Sequence, residues 1–269
     1  MRIKSLLFQH LLCITRKGML TFVRVTMLAT GIASAQPAIQ WQHSYGGTFG
    51  DYTAPVRQTS DGGYVLAGAT YSNDGDVSGN HSSSSDIWVT KIDSIGNLQW
   101  QKCLGGTNYE DGAYPKTTAN TIQQTTDGGY IAGGVCYSND GDVSGNHGDS
   151  DMWVVKLDGS GNLQWQRSLG GSLDDYGNAV IQTSDGGYMA AGYCGSSDGD
   201  VIGNHGGFDY WLVKLSNSGT IQWQKCLGGL FEDYANAIQQ TTDGGYIVGG
   251  FTDSFEVMLR AAMDYGTIG

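Results

Sequence analysis

The sequence predicts an all-β protein built from a repeated unit of four antiparallel strands. One motif recurs about every 58 residues along the chain of 269 residues. The chain has 43 Gly and many Asp residues, and both types favour tight turns because they tolerate positive φ or cap their own backbone. Glu, Lys and Ala, the residues that favour helices, are scarce by comparison. Repetition and turn-rich composition together indicate an array of short strands.

Two strings mark the repeat. Asp-Gly-Gly-Tyr begins at Asp61, Asp127, Asp185 and Asp243, and Trp-Gln begins at Trp41, Trp100, Trp165 and Trp223. Most spacings are 58 or 59 residues, and the longer ones are explained by seven or eight extra residues in the second copy. We place this insertion around Glu110–Asn120. A fixed period of this length is typical of repeat architectures.

Each copy contains four strand signals, which we name a, b, c and d. In the third copy they are Gly177–Thr183, Gly187–Cys194, Asp209–Leu215 and Thr220–Leu227. Strand c is apolar on both faces apart from Lys214, so it must lie between two layers. The sequence therefore predicts a β-propeller-type array, in which four-stranded blades pack face to face around an axis. A β-solenoid is the alternative, but its coils are usually shorter and lack repeated hairpin turns.

The array predicted in this way has three full blades and a partial fourth. A lone d strand at Ile39–Tyr45 precedes the first blade, and strands Ala235–Thr241 and Gly245–Thr252 begin the fourth. If the lone d strand paired into the fourth blade, it would close a ring. Strand c of that blade is missing, which leaves the ring incomplete.

The first 35 residues are predicted to be a signal peptide. They carry five basic residues and no acidic residue, and the apolar run Val25–Ala35 ends in Ala-Ser-Ala. We expect cleavage after Ala35 and a secreted or cell-surface location, with translation starting at Met1 or at Met19. A short membrane anchor is the alternative. No membrane span is expected, because no run reaches the roughly 18 apolar residues that a spanning helix needs.

Residues 36–254 form the predicted repeat domain, and residues 255–269 match no earlier copy. Synonymous codons for Glu256–Gly269 exist that, read one base over, encode Gly-Asp-Val-Thr-Gly-Ser-His-Gly-Leu-Trp-Asp-Tyr-Trp-Val. This peptide is close to Gly199–Leu212 of the third copy. We therefore predict a frameshift near Ser254–Phe255 and an aberrant tail. A genuine divergent end is the alternative, and the nucleotide sequence decides between them.

The strings DGGYIVGGFTDS, SNDGDVSGNHG, DMWVVKLDGSGNLQWQ and LGG resemble a group of secreted repeat proteins of Bacteroidota, often described as lipoproteins or as cargo of type IX secretion. The resemblance covers residues 39 to 254. It implies export and a propeller-like array. Some similar proteins are labelled endoglucanases, but the sequence contains no catalytic motif that the label could transfer.

One end of the predicted blades is acidic and rich in loops. In an antiparallel meander the b–c and d–a loops lie at the same end, and the d–a loops add Asp51, Asp111, Asp175 and Asp233. Clustered Asp and Asn oxygens are ligands for Ca²⁺. The candidate ligands in the b–c loops are Asp74, Asp76, Asn80, Asp140, Asp142, Asn146, Asp198, Asp200 and Asn204. The alternative, which we favour, is that these side chains accept hydrogen bonds from their own loop backbone.

The charge restricts the partners. Residues 36–269 hold nine basic and 26 acidic residues, a net charge of 9 − 26 = −17, which argues against a nucleic-acid partner because phosphate binding needs a positive surface. The repetition of His81, His147 and His205 in every blade favours a structural role for them. We therefore predict a non-enzymatic module that binds an extracellular glycan or protein through the loop end.

Two other functions stay open. The first is a glycan-active enzyme, whose carboxylates would lie in the only non-repeating segment, Tyr109–Asn120, which contains Glu110 and Asp111. The second is an inactive fragment. The cysteines do not help to choose, because Cys103 and Cys226 share one repeat position and Cys136 and Cys194 share another. Equivalent positions of different copies lie too far apart for disulfides. We expect these cysteines to be small buried side chains.

Overall fold

The computed structural model describes residues 11–14, 20–23, 38–111 and 121–253. They belong to two compact units, Met1–Gln40 and Trp41–Gly269. The first unit contains an antiparallel hairpin of β1 (Leu11–Ile14) and β2 (Leu20–Val23). The predicted cleavage site after Ala35 and the tail 255–269 lie outside the described residues. Within the described segments, no helix is long and apolar enough to cross a membrane.

The second unit is all-β, with its strands in antiparallel sheets that follow chain order. The first sheet contains β3 (Asp51–Gln58), β4 (Tyr64–Thr70), β5 (Asp86–Ile92) and β6 (Leu98–Leu104). The second contains β7 (Glu110–Asp111), β8 (Thr121–Gln124), β9 (Tyr130–Cys136), β10 (Asp151–Leu157) and β11 (Leu163–Leu169). The third contains β12 (Asp175–Gln182), β13 (Tyr188–Cys194), β14 (Asp209–Leu215) and β15 (Ile221–Leu227). The fourth contains β16 (Asp233–Gln240) and β17 (Tyr246–Thr252). These sheets confirm the predicted all-β class and its four-stranded antiparallel units.

The strand bounds follow the prediction closely in the third sheet. Strand c coincides with β14, and strands b and d are each one residue shorter at the start. Strand a begins two residues earlier than predicted, because Asp175 already pairs with Cys194. Each a strand therefore starts on an acidic residue that belongs to the ladder rather than to the preceding loop.

Strand a of the second sheet is split around the predicted insertion. Asp111 pairs with Val135 and Thr121 pairs with Gly133, so residues 112–120, which are not described, interrupt the strand without changing its register. The other a strands have a one-residue bulge at this place, for example at Asn178, between Gly177 and Ala179. The register also makes Glu110, opposite Cys136, the equivalent of Asp175. The predicted grouping of Asp111 with Asp51, Asp175 and Asp233 is therefore wrong by one residue, because Glu110 takes this position in the second copy.

The predicted lone strand at Ile39–Tyr45 is absent, because residues 38–47 form no strand. The side chains of Trp41 and Tyr45 nevertheless pack as those of a d strand do. Trp41 lies 6.1 Å from Tyr64, ring centroid to ring centroid, as Trp100 lies 5.5 Å from Tyr130. Among the described residues no strand c lies beside Trp41 and Tyr45, so they pack on the first sheet without a ladder.

Consecutive sheets pack face to face through apolar cores. Val65, Ala67 and Val89 of the first sheet meet Ile122 and Tyr130 of the second. The second and third sheets are joined in the same way, and so are the third and fourth. A polar contact accompanies each core at the a–b turn, where Gln side chains of the next sheet accept hydrogen bonds from backbone N–H groups. The pairs are Ser60 with Gln124 at 2.7 Å, Thr126 with Gln182 at 2.8 Å and Ser184 with Gln240 at 2.8 Å.

Strands c are buried along their whole length, including one lysine in each. The Lys156 ammonium donates to Leu157 O at 2.9 Å and Gln164 Oε1 at 3.1 Å, and it lies 2.9 Å from Asp127 Oδ2. Lys91 and Lys214 have the equivalent partners. A buried ammonium is tolerated because all three of its protons find acceptors.

Candidate functional site at the loop end of the sheets

The b–c and d–a loops meet at one end of the sheets and are joined by repeated hydrogen bonds. Asp74 Oδ1 accepts from Thr48 N at 2.8 Å, and Asp140 and Asp198 accept in the same way from Thr107 and Ser172. Hydrogen bonds from these residues lower the pKa of the three aspartates below its usual value. The first aspartate of each b–c loop is thus an acceptor for the d–a loop.

A serine makes a second connection between the same loops. Ser72 Oγ accepts from Phe49 N at 3.0 Å, Ser138 Oγ from Asn108 N at 2.8 Å and Ser196 Oγ from Leu173 N at 2.9 Å. Two successive backbone N–H groups of each of these d–a loops are therefore held by side chains of the b–c loop. This arrangement fixes the conformation of the d–a loop tip.

The asparagines of the b–c loops close the loops on themselves. Asn204 Nδ2 donates to Cys194 O at 3.1 Å and Ser196 O at 3.0 Å, while its Oδ1 accepts from Gly206 N at 2.8 Å. Asn80 and Asn146 make equivalent contacts. Their side-chain oxygens are used within the loop, as the Asx-turn alternative predicted.

The nine candidate Ca²⁺ ligands are thus brought to one end of the sheets. Asp76 Oδ2 accepts from Gly46 N at 3.2 Å, and Asp142 Oδ2 accepts from Gly105 N at 3.4 Å and lies 3.6 Å from His81 Nε2. Asp200 lines a shallow cavity beside His147. Among the described residues, no group of three or more His, Cys, Asp or Glu side chains is placed to hold a metal ion. Calcium binding stays a prediction.

Each loop histidine faces the first residue of strand c. The His147 Nδ1 to Asp151 Oδ2 distance is 2.8 Å, and the equivalent distances are 2.6 Å for His81 and Asp86 and 2.5 Å for His205 and Asp209. The three aspartates are fully buried. Burial raises the pKa of all three, and that of Asp151 to about 6. The sequence predicted a structural role for these histidines, and the structure gives each of them a buried carboxylate as its partner.

The d–a loops present exposed apolar side chains, a feature that sequence reasoning missed. Phe49, Tyr109, Leu173 and Phe231 are 70%, 51%, 51% and 56% exposed. In the first and third copies the N–H group of the apolar residue is itself one of the two that the b–c loop holds, whereas in the second copy Asn108 takes this place and Tyr109 follows it. The signal was present in the strings GGTFGD, GGTNYED, GGSLDD and GGLFED, where a large apolar residue recurs in an otherwise polar loop. Core packing does not explain an apolar residue that repeats and stays exposed.

The repeated tryptophans are structural. Trp88, Trp153 and Trp211 are buried and donate to Gln101, Gln166 and Gln224 Oε1 at 2.7–2.9 Å. Trp100 and Trp165 are partly buried against Tyr130 and Tyr188 of the next sheet. These two strand d tryptophans thus serve the packing between sheets.

The cysteines are buried free thiols, as the sequence predicted. One contact joins different positions of the repeat: Cys194 Sγ lies 3.3 Å from Cys226 Sγ, where the second copy has Cys136 beside Ser168. Strand β14 separates the two cysteines, so their backbones are about 9–10 Å apart, two strand spacings. That separation exceeds what a disulfide allows.

Comparison with known proteins gives one partial similarity. No family model matches the chain. The chain is 29% identical over 127 residues to the regulatory protein FlaEY of Caulobacter vibrioides. The match covers 42% of this chain and 13% of FlaEY, so the chain spans a small part of that protein's length.

Proposed function

We propose that the protein is an exported, non-enzymatic binding module that recognises an extracellular ligand with the loop end of its sheets. The observation that carries this proposal is the exposed apolar residue on each d–a loop, represented by Phe49, Leu173 and Phe231. Aromatic residues such as phenylalanine are enriched in protein interfaces, and a few large side chains supply most of an interface's binding energy.

The hydrogen bonds around these residues favour binding. Thr48 and Phe49 donate their N–H groups to Asp74 and Ser72, and Ser172 and Leu173 are held in the same way. A loop that is already ordered loses little conformational entropy when a ligand arrives, so affinity rises. The acidic surroundings favour neutral or basic partners over nucleic acid or acidic polysaccharide.

We propose a propeller-type arrangement of the sheets and an extracellular location as part of the same function. The face-to-face packing of consecutive sheets supports the first, and the predicted signal peptide supports the second. Mass spectrometry of the exported protein should find Gln36 at its N-terminus. An intact N-terminus at Met1 or Met19 on the exported protein would contradict cleavage after Ala35.

The test is a glycan and protein array probed with the wild-type chain and with the triple variant Phe49→Ser, Leu173→Ser, Phe231→Ser. We expect at least one specific ligand for the wild type and a loss of binding of tenfold or more in the variant. Ile95→Ser is the matched control, because Ile95 is 62% exposed in a c–d turn at the opposite end. Equal binding by the triple variant would contradict the proposal.

Hydrolysis of the same glycans separates binding from catalysis. We expect no release of reducing ends from a panel of polysaccharides. Release of reducing ends by the wild type that is lost in Glu110→Gln would identify the glycan-active enzyme instead.

Calorimetry with Ca²⁺, with a chelated sample as reference, tests the metal prediction. The absence of heat and of any change in melting temperature would contradict calcium binding.

A further inference from the structure

Every contact between consecutive sheets joins two different faces. The forward face of a sheet packs on the next sheet, and the rear face packs on the previous one. At the centre of the forward face are the equivalent residues Val65, Ile131, Met189 and Ile247. At the centre of the rear face are the equivalent residues Val56, Ile122, Val180 and Ile238. The array therefore has one direction, from the first sheet to the fourth.

Two of these faces are open within the described residues. Val56 on the rear face of the first sheet is 51% exposed, whereas Ile122, Val180 and Ile238 are buried. Ile247 on the forward face of the fourth sheet is 61% exposed, whereas its three equivalents are fully buried. The rear face also contains a hollow of about 450 Å³, lined by Tyr64 and Leu66 of the first sheet and by Trp41, His43 and Tyr45, which cover one side of this face.

We infer that these two open faces bind each other in different copies of the chain, so that the protein associates head to tail. The forward face of the fourth sheet in one copy would meet the rear face of the first sheet in the next, with Ile247 near Val56. A second copy of the chain is the expected partner, because each open face is equivalent to a face that packs against a neighbouring sheet within the chain. This surface is separate from the loop end, and the inference does not rest on the proposed function.

The polar groups of the internal contacts are repeated at the two open faces. Inside the chain, Gln124, Gln182 and Gln240 accept from the a–b turn of the previous sheet. Gln58 holds the equivalent position on the first sheet and is exposed. Thr242 holds the equivalent turn position on the fourth. A head-to-tail contact would therefore add a hydrogen bond from Thr242 N to Gln58 Oε1.

The b strands of the two faces carry no charge, because β4 (Tyr64–Thr70) and β17 (Tyr246–Thr252) contain no ionisable side chains other than tyrosine. The a strands add Asp51 and Arg57 in β3 and Asp233 in β16. Because the two faces differ, the contact is heterologous, and each bound copy still offers one open face. Heterologous contacts extend into rings or filaments rather than stopping at a dimer.

The test is analytical ultracentrifugation of the full exported chain across a range of concentrations. We expect the wild type to form species larger than a dimer as its concentration rises. Val56→Asp and Ile247→Asp each place a charge at the centre of one face, and each variant alone should be monomeric. An equimolar mixture of the two should form a dimer and nothing larger, because Val56→Asp keeps its forward face and Ile247→Asp keeps its rear face.

The controls distinguish folding from association. Both substituted residues are exposed, and circular dichroism should show unchanged melting of the monomers; Val56→Ser and Ile247→Ser are the second pair if the aspartates disturb folding. Ile95→Asp and the triple loop-tip variant should associate like the wild type. A wild type that stays monomeric at all concentrations overturns the inference. So does a mixture of the two face variants that stays monomeric while the wild type associates.

Discussion

The buried lysines show how single residues hold the sheets together. Lys156 is almost fully buried, whereas the side chain of its partner Asp127 is 55% exposed. Partial burial acts to raise the pKa of Asp127, but hydrogen bonds from Thr125 and Lys156 outweigh it and lower the pKa to about 2. The two partners therefore differ: the buried charge of Lys156 needs the Asp127 carboxylate, whereas water can solvate the charge of Asp127 without the lysine.

This inequality predicts losses of stability of different size when either partner is replaced. Asp127→Ala leaves a buried ammonium without its carboxylate and should lower the free energy of unfolding by about 2–3 kcal/mol. Lys156→Met leaves a carboxylate that water can solvate and fills the same space, so the loss should stay below about 1 kcal/mol. Urea denaturation measures both. Equal losses of unfolding free energy in the two variants would show that the Asp127 carboxylate does not stabilise the buried ammonium.

The buried aspartates beside the histidines predict a dependence of stability on pH. Burial raises the pKa of Asp151 to about 6 in the folded state, against about 3.9 when unfolded. The folded state therefore binds more protons between these values. The stabilisation is fully present below about pH 4 and is lost as the pH rises through 6, by an amount on the order of 3 kcal/mol. The groups facing Asp151 are His147 and Asp175.

Asp151→Asn tests this at one site. The amide cannot ionise, so the difference in unfolding free energy between pH 4 and pH 7 should shrink in the variant. The carboxylates with lowered pKa, such as Asp127, titrate below this window and do not mask the effect. Urea denaturation at four pH values gives the comparison. An unchanged pH profile in Asp151→Asn would contradict it.

At the scale of the element, the a–b and c–d turns differ in the space around their glycines. Gly186 in the third a–b turn has a φ of 81°, and a Cβ there would meet no atom within 4 Å. Gly161 in the second c–d turn has a φ of 80°, but a Cβ there would lie 2.8 Å from Trp100 Cε3. The c–d turn is therefore part of the packing between sheets, whereas the a–b turn faces open space at this point.

The two glycines form a matched pair for mutation. Gly186→Ala should cost only the strain of a left-handed alanine, about 1–2 kcal/mol. Gly161→Ala adds a clash with a half-buried indole and should cost about 1–3 kcal/mol more. Thermal melting of the two variants gives the comparison. Equal destabilisation would mean that Trp100 moves away without cost.

The elements show what the sequence could predict. Strand c was located correctly because its two apolar faces and flanking turns leave little choice. The segment Ile39–Tyr45 has the side chains of a d strand, and Trp41 packs like one, but a ladder also needs a neighbour that sequence periodicity cannot supply. The exposed residues Phe49 and Phe231 were missed, because an apolar residue in a sequence is taken for core until its exposure is known.

At the scale of the whole molecule, each sheet depends on its neighbours. The third sheet is covered on both faces, whereas within residues 121–253 the fourth has two strands and one covered face. Arrays of this kind unfold from their ends, because the terminal unit has fewer interfaces. Hydrogen exchange should therefore show faster exchange in β17 (Tyr246–Thr252) than in β13 (Tyr188–Cys194), its equivalent. Equal protection of the two strands would indicate a single cooperative unit.

The split strand of the second sheet has a consequence for how such a protein changes over time. Eight residues more than the ladder needs lie between Asp111 and Thr121, at the point where the other a strands carry a single bulged residue. The bulge is thus a position at which residues can be inserted while the residues on either side keep their partners on strand b. Residues can therefore be added there in one copy while the strand pairing of the other copies stays as it is.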